Sequence, residues 1–296
     1  MSRQVPEMSD STQNRRSAEL ISLTDALATI DRTVEPVSPV EHDLRAARGH
    51  TLAADARTDT TLRLAGARLR RVDIALLSSH SVDRIAIRKP LVLVMHASSA
   101  DGIEPTAGLI AGAIDDEGGI AAILQLTESN TLEAACNSAD EAKINAIIAT
   151  SGGDVRDEAA VRTLARIGHL EFDGVGLNPG GATAFGFVDS LPVLLLPGQI
   201  HSAFAAWLVL GRRLLARLSF RLIEDQPYLL ELARPVVSTR GMAEVIPVHR
   251  RAAQVEPLTS EGWTPQTIAR ADGWILVPAE SDGHPAGTKV AMRPWP

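Results

Sequence analysis

The sequence predicts an α/β protein: a doubly wound, mostly parallel sheet, preceded by a helical segment and followed by a small β domain. Three observations carry this. "PLVLVMHA", "INAIIATSGG" and "PVLLLPG" are unbroken apolar runs, as in strands covered on both faces. Helical stretches alternate with them, the pattern of βαβ units. Beyond Phe220 the helices stop, and short strands follow, divided by Gly and Pro.

Residues 1–18 are polar and are expected to form a disordered leader. Residues 19–87 are expected to be the helical N-terminal segment. In "SLTDALATIDRTV", Leu23, Leu27 and Ile30 recur at helical spacing, with Ser22 as N-cap and Asp25 in the capping-box position. The prolines of "EPVSPV" end that helix, and a second is expected through "HDLRAARGHTLAADA", stopped or kinked near Gly49. A third follows "AGARL", with Val72, Leu76 and Leu77 on one face. Residues 88–220 are expected to be the α/β domain: strand "PLVLVMHA", helix "TAGLIAGAIDDEGG", strand "IAAILQLT", helix "TLEAACNSADEA", strand "INAIIATSGG", helix "EAAVRTLARIG", strands and turns from Leu170 to Gly198, and helix "HSAFAAWLVLGRRLLARL". Residues 221–296 are expected to form the β domain.

The chain has 296 residues, is 45% hydrophobic, and carries a formal net charge of −7, which argues against a general nucleic-acid surface. A small anionic ligand would need a local site. The single cysteine, Cys136, excludes an internal disulfide framework and any multi-cysteine metal centre, and fits a reducing cytoplasm. No apolar run reaches the ~20 residues that span a bilayer, so no membrane association is expected.

In doubly wound sheets, ligands bind beyond the carboxyl ends of the strands. Three loops are therefore candidates: those after Ala97, after Thr150 and after Leu196. In the second, Thr150, Ser151, Gly152 and Gly153 bring backbone amides and hydroxyls to where a phosphate could sit, though a strand-to-helix turn needs glycine for geometry alone. Asp154, Asp157 and Glu158 would repel an anion unless they hold a divalent cation that bridges to it; acids at a helix start are equally natural. "LNPGGATAFG" and "LLLPGQIHSAF" add two small-residue turns with Pro179, Gly180, Pro197 and Gly198, and Ser202 stands ready to cap a helix or donate to a ligand. His96 and His201 are lone histidines. There is no catalytic triad, nucleophile elbow or Walker sequence, and no histidine pair at zinc spacing.

The order of these pieces resembles the molybdopterin molybdenumtransferases, the MoeA-like proteins and the related C-terminal domain of gephyrin. The likeness runs from "LISLTDALATI" through "AGARLRRVDIALLSSHSVDRIAIRKPLVLV", is strongest in "IIATSGGD", "DGVGLNPGGATAFG" and "PVLLLPGQIHSAF", and returns in "IARADGWILVPAESDGHPAGTKVAM". The resemblance implies a molybdopterin-binding fold that takes adenylylated molybdopterin and inserts molybdate with Mg²⁺. It implies cofactor contacts from Thr150, Ser151, Gly152, Gly153, Pro179, Gly180, Pro197, Gly198 and Ser202, metal contacts from Asp157 and Glu158, and a homodimer.

Several departures bear on that activity. Between "LAADARTDTT" and "LRLAGARL" the family carries a whole inserted domain that this chain lacks. The family's "STGDEL" reads "HASSAD", with Ser99 in place of the metal-associated acid and Asp101 nearby. The "TSGG" loop is shorter and has lost its second serine. The family's "KPGKP" is Asn178-Pro179-Gly180-Gly181-Ala182, without either lysine, and each lost charge-assisted contact is worth about 1.5–3 kcal/mol. The implied function is molybdate insertion, or, with the charged chemistry depleted, a non-catalytic molybdopterin or cofactor carrier serving a molybdoenzyme partner. A different small-molecule binder on the same scaffold is the third alternative.

Overall fold

The structure is a computed structural model that describes residues 20–57, 61–97, 105–129, 131–150, 158–221, 227–258 and 263–295. The expected leader lies outside these. Helix α1 (Leu23–Thr33) starts as its sequence dictates: the Ser22 hydroxyl accepts the Asp25 amide at 3.0 Å and donates to the Asp25 carboxylate at 2.7 Å.

The expected second helix does not form. Residues 40–57 make strand β1 (Val40–Asp43), a 3₁₀ turn at Leu44–Ala46 and the short strands β2 (Thr51–Leu52) and β3 (Ala56–Arg57). Asp43 caps the 3₁₀ turn by accepting the Arg45 amide, and both β1 and β2 pair antiparallel with a later strand. Tertiary pairing thus overrides the helical propensity of an alanine-rich stretch. Strand β4 (Thr61–Arg63) pairs with β3, and helix α2 (Arg71–Ser79) follows. This helix buries Asp73 and Leu77, whereas Val72 and Leu76 are exposed, contrary to expectation. Asp73 faces inward because Arg70 and Arg63 both meet its carboxylate. Strand β5 (Arg84–Arg88) completes a three-stranded sheet in the order β1-β5-β2.

The main sheet then forms from β6 (Leu91–His96), α3 (Pro105–Asp116), β7 (Ile120–Gln125), α4 (Leu132–Ser138), β8 (Ala146–Thr150), α5 (Glu158–Ile167), β9 (His169–Asp173), β10 (Leu177–Asn178), β11 (Ala184–Val188) and β12 (Leu191–Leu196). Its order is β7-β6-β8-β12-β11-β9; the first four are parallel, β11 alone runs antiparallel to them, and β9, paired antiparallel with β11, runs in their direction. Helix α6 (Ile200–Ala206) continues through a π-helical turn at Trp207–Gly211 into α7 (Arg212–Ser219).

The strand period of two divides the core cleanly. Val92, Val94, Ile148, Leu194 and Leu196 point to α1, α3, α6 and α7, while Leu93, Met95, Ile147, Val193 and Leu195 point to α4 and α5. Each fully buried Val, Leu or Ile here contributes about 1.5–3 kcal/mol, so unbroken apolar strands are what this two-sided layer demands.

Strands β13 (Tyr228–Leu232), β14 (Val236–Val237), β15 (Ala243–Arg251), β16 (Gln254–Pro257), β17 (Gly273–Val277), β18 (Gly283–His284) and β19 (Lys289–Pro294) make the last part, with one short helix, α8 (Pro265–Arg270), that was not anticipated although Thr264 caps it and Pro265 opens it. The sheet order is β10-β15-β16-β13-β19-β17, and β17 also pairs with β15, so five strands close on themselves around Leu232, Ile246, Val248, Val255 and Ile275. Closure removes open edges. Strand β10 joins β15 in parallel, which ties the turn after Leu177 to this barrel.

Candidate functional site at the carboxyl edge of the sheet

Strand register sets side by side the strand ends from which the three predicted loops leave. His96 is paired with Thr150, and Thr150 with Leu196, so the last residues of β6, β8 and β12 form one row. The connection after β6 leads outward to β7, and that after β8 leads the other way, so the crevice between them is the topological switch point of the sheet.

Thr150 ends β8 buried, with its hydroxyl donating to the Met95 carbonyl at 3.3 Å. Ser151, Gly152, Gly153 and Asp157 lie outside the described residues, as do Ser99, Asp101 and Asp154. Pro197 and Gly198 follow β12 directly, and the Gly198 carbonyl accepts the Thr106 hydroxyl at 3.0 Å. Sequence reasoning missed Thr106, which fastens the start of α3 to the third loop; only its place one residue into a helix that follows a candidate loop could have marked it. Ser202 is buried in the first turn of α6.

Gln199, the N-cap of α6, makes no side-chain cap, and the first intrahelical bond runs from the Ala203 amide to the Gln199 carbonyl. Helical geometry therefore leaves the amides of Ile200, His201 and Ser202 without an intrahelical acceptor, where the partial positive charge of the helix end is greatest. The turn with Pro179 and Gly180 seats on this helix. Gly180 has φ +112°, and a Cβ there would lie 3.2 Å from the Ser202 carbonyl oxygen and from the Ala206 Cβ. Its carbonyl accepts the buried Thr183 hydroxyl at 2.7 Å. Gly180 thus serves close packing of loop on helix.

Among the described residues charge is sparse at this edge. Glu158 opens α5, is exposed, and meets Arg162 at 3.1 Å. Among the described residues no group of three or more His, Cys, Asp or Glu side chains could hold a metal ion. Asn178 donates to Glu244 at 3.3 Å. The Nδ1–H of buried His96 donates to the Ala97 carbonyl at 2.9 Å. Burial pushes the Cys136 thiol up to about 11, so at neutral pH it is an inert packing group of α4. A cavity of about 30 Å³ lined by Thr150, Ala182 and Pro197 has room only for water. A larger open groove, about 680 Å³, lies at the opposite edge, where Glu35, Asp140, Glu171 and Asp189 make it unsuited to an anion.

The architecture matches solved proteins over nearly its whole length. A molybdenum cofactor biosynthesis protein from Pyrococcus furiosus superposes with a TM-score of 0.77 at 16% identity, covering 93% of this chain and 100% of that one. The MoeA protein of Pyrococcus horikoshii gives 0.75 at 14% identity, covering 94% and 100%. The fold is that of MoeA. In sequence, a molybdopterin biosynthesis protein of Methanocaldococcus jannaschii is 28% identical over 149 residues, 49% of this chain and 35% of that protein, so the match spans about a third of the relative. No protein-family model matches the chain. Strands β3 and β4 are joined through residues 58–60 alone. Among the described residues no helix is long and apolar enough to cross a membrane.

Proposed function

We propose that the protein acts in molybdenum cofactor biosynthesis, binding molybdopterin or its adenylylated form across the carboxyl edge of the main sheet. The observation that carries this is the single row in which β6, β8 and β12 end, with the uncapped start of α6 following β12, on a MoeA-type scaffold. Free amides of Ile200 and His201 and the Ser202 hydroxyl would receive the phosphate. Molybdate insertion with magnesium is the reaction the scaffold suggests. Asp157 and Glu158 are the carboxylates that would hold the metal, and a metal role for Glu158 requires it to leave Arg162.

That ion pair, with Asn178 and Gly181 in place of the two lysines, favours a second reading: a carrier that holds molybdopterin or the finished cofactor for a molybdoenzyme, working as a homodimer. Calorimetry with molybdopterin tests the shared claim. We expect one site per chain, weakened about tenfold or more by Ser202→Ala through loss of a hydrogen bond to a charged group. Absence of binding overturns both readings. Adenylate release from adenylylated molybdopterin in the presence of molybdate and Mg²⁺ then separates transferase from carrier.

A further inference from the structure

A second cationic feature lies far from that edge. Four arginines, Arg48, Arg68, Arg70 and Arg71, line an open cleft of about 320 Å³ floored by Gly49 and Leu69. It sits at the C-terminal end of α3, and twelve residues of helix put it about 18 Å from the start of α3 beside Gly198. Two of the arginines are anchored. Arg68 donates to the carbonyls of Gly49, at 2.9 Å, and of Asp116. Arg70 forms a two-pronged pair with Asp73, at 2.9 and 3.0 Å. Among the described residues Arg48 and Arg71 have no carboxylate partner, and both are exposed.

Two of the nearby acids, Glu117 and Asp73, are already engaged, while the exposed Asp116 carboxylate faces the solvent beside Arg68. Glu117 is buried between Arg212 and Arg221, each at 2.5 Å, and Asp73 is shared by Arg63 and Arg70. Excess positive charge shows in the neighbours. Burial, then Arg221 and Arg48, pull the Arg68 guanidinium below its ordinary value against Glu117 and Asp116. On a chain of net charge −7, such crowding of like charge is costly unless an anion relieves it.

We propose that this cleft is a second anion site, binding a compact ligand of the phosphate or pyrophosphate class independently of the carboxyl edge. Guanidinium forks match phosphate oxygens two at a time, and the anchored pair Arg68 and Arg70 presets the walls while Arg48 and Arg71 supply uncommitted donors. The volume suits a small polyanion.

Titration of the full chain with pyrophosphate tests the proposal. We expect one pyrophosphate per chain at the cleft, tighter than orthophosphate, with affinity that falls as salt rises. Arg48→Ala with Arg71→Ala should cost at least about tenfold in affinity and leave the unliganded melting temperature unchanged, since neither side chain is buried or paired. Ser202→Ala should leave pyrophosphate affinity unaltered. Failure of pyrophosphate to bind, equal binding by the double variant, or loss of binding through Ser202→Ala instead would each overturn it. So would a change in oligomeric state of the unliganded double variant, which would assign the arginines to a protein contact. Molybdopterin calorimetry reads the carboxyl edge separately, so the two claims can fail independently.

Discussion

The two ends of α3 are built on opposite principles. At its start, Thr106 holds the Gly198 loop, and the surroundings are small residues, backbone amides and a helix end, with Glu158 the charged residue placed there by the described structure. At its finish, seven arginine and acid side chains crowd together: Arg48, Arg68, Arg70, Arg71, Arg212 and Arg221 around Glu117. Both ends depend on a glycine at close approach. Gly180 seats its loop on α6, and a Cβ on Gly118 would fall 2.2 Å from the Gly49 carbonyl oxygen. One end offers dipoles and the other formal charge. A ligand at the first is recognised by shape and amide geometry, whereas a ligand at the second is drawn by field.

The largest effect expected from disturbing this contrast is at Glu117. It is 5% exposed and neutralises two guanidiniums at once. Glu117→Ala removes the buried carboxylate that Arg212 and Arg221 share, and should destabilise the fold by about 3–5 kcal/mol, read as a lower midpoint in urea. Pyrophosphate should recover part of that loss if it reaches the same field. A change below about 1 kcal/mol would mean that water already solvates these arginines and that the charged end is looser than described.

None of this end was legible in the sequence. "RGH" and "ARLRR" stand some twenty residues apart, and Glu117 and Arg221 about a hundred, so only the paired strands β1, β2 and β5 and the end of α3 bring them to one place. The main sheet was legible because its strands are covered on both faces and must be continuously apolar. The expected helix over residues 42–56 failed for the converse reason: its strands are two to four residues long, too short for a period-two pattern to compete with alanine-rich helical propensity. The face of α2 was misjudged because a buried Asp73 takes a position that apolar periodicity would assign to a hydrophobic residue. At the carboxyl edge the loops were found from glycine and strand order, but the task of Gly180, packing on α6, needed coordinates.

Gly180 sharpens the other half of the comparison. Its φ of +112° is a conformation that L side chains rarely adopt, and the atoms around a new Cβ are backbone and an alanine methyl, which cannot swing away. Gly180→Ala should cost at least about 1–2 kcal/mol from backbone conformation alone. Because Ser202 and Ala206 would shift with α6, molybdopterin affinity should fall together with stability. A stable variant with unaltered affinity would break the claim that packing, rather than charge, sets the geometry of this edge.

The smallest expected effect is a pH dependence seated at the charged end. The Nδ1–H of His50 donates to the Gly118 carbonyl at 2.9 Å. Burial lowers its pKa from 6.5, and Lys89, His42 and Arg68 add to that, against the hydrogen bond to Gly118, which raises it. Above about pH 6.5 the imidazole is neutral in folded and unfolded chains alike, and its contribution is fully present. As the pH falls below that value the unfolded chain takes up the proton first, so stability declines until the folded pKa has been passed. His50→Gln keeps a donor for Gly118 but cannot titrate, and urea midpoints between about pH 7.5 and 5.5 should therefore fall less in the variant than in the parent. Pyrophosphate in the cleft would partly cancel the Arg68 field and move the His50 titration upward, and the carboxyl-edge variant Ser202→Ala should leave that movement intact. Equal pH dependence in parent and His50→Gln would show that burial at the junction between Gly118 and Gly49 does not depress the imidazole.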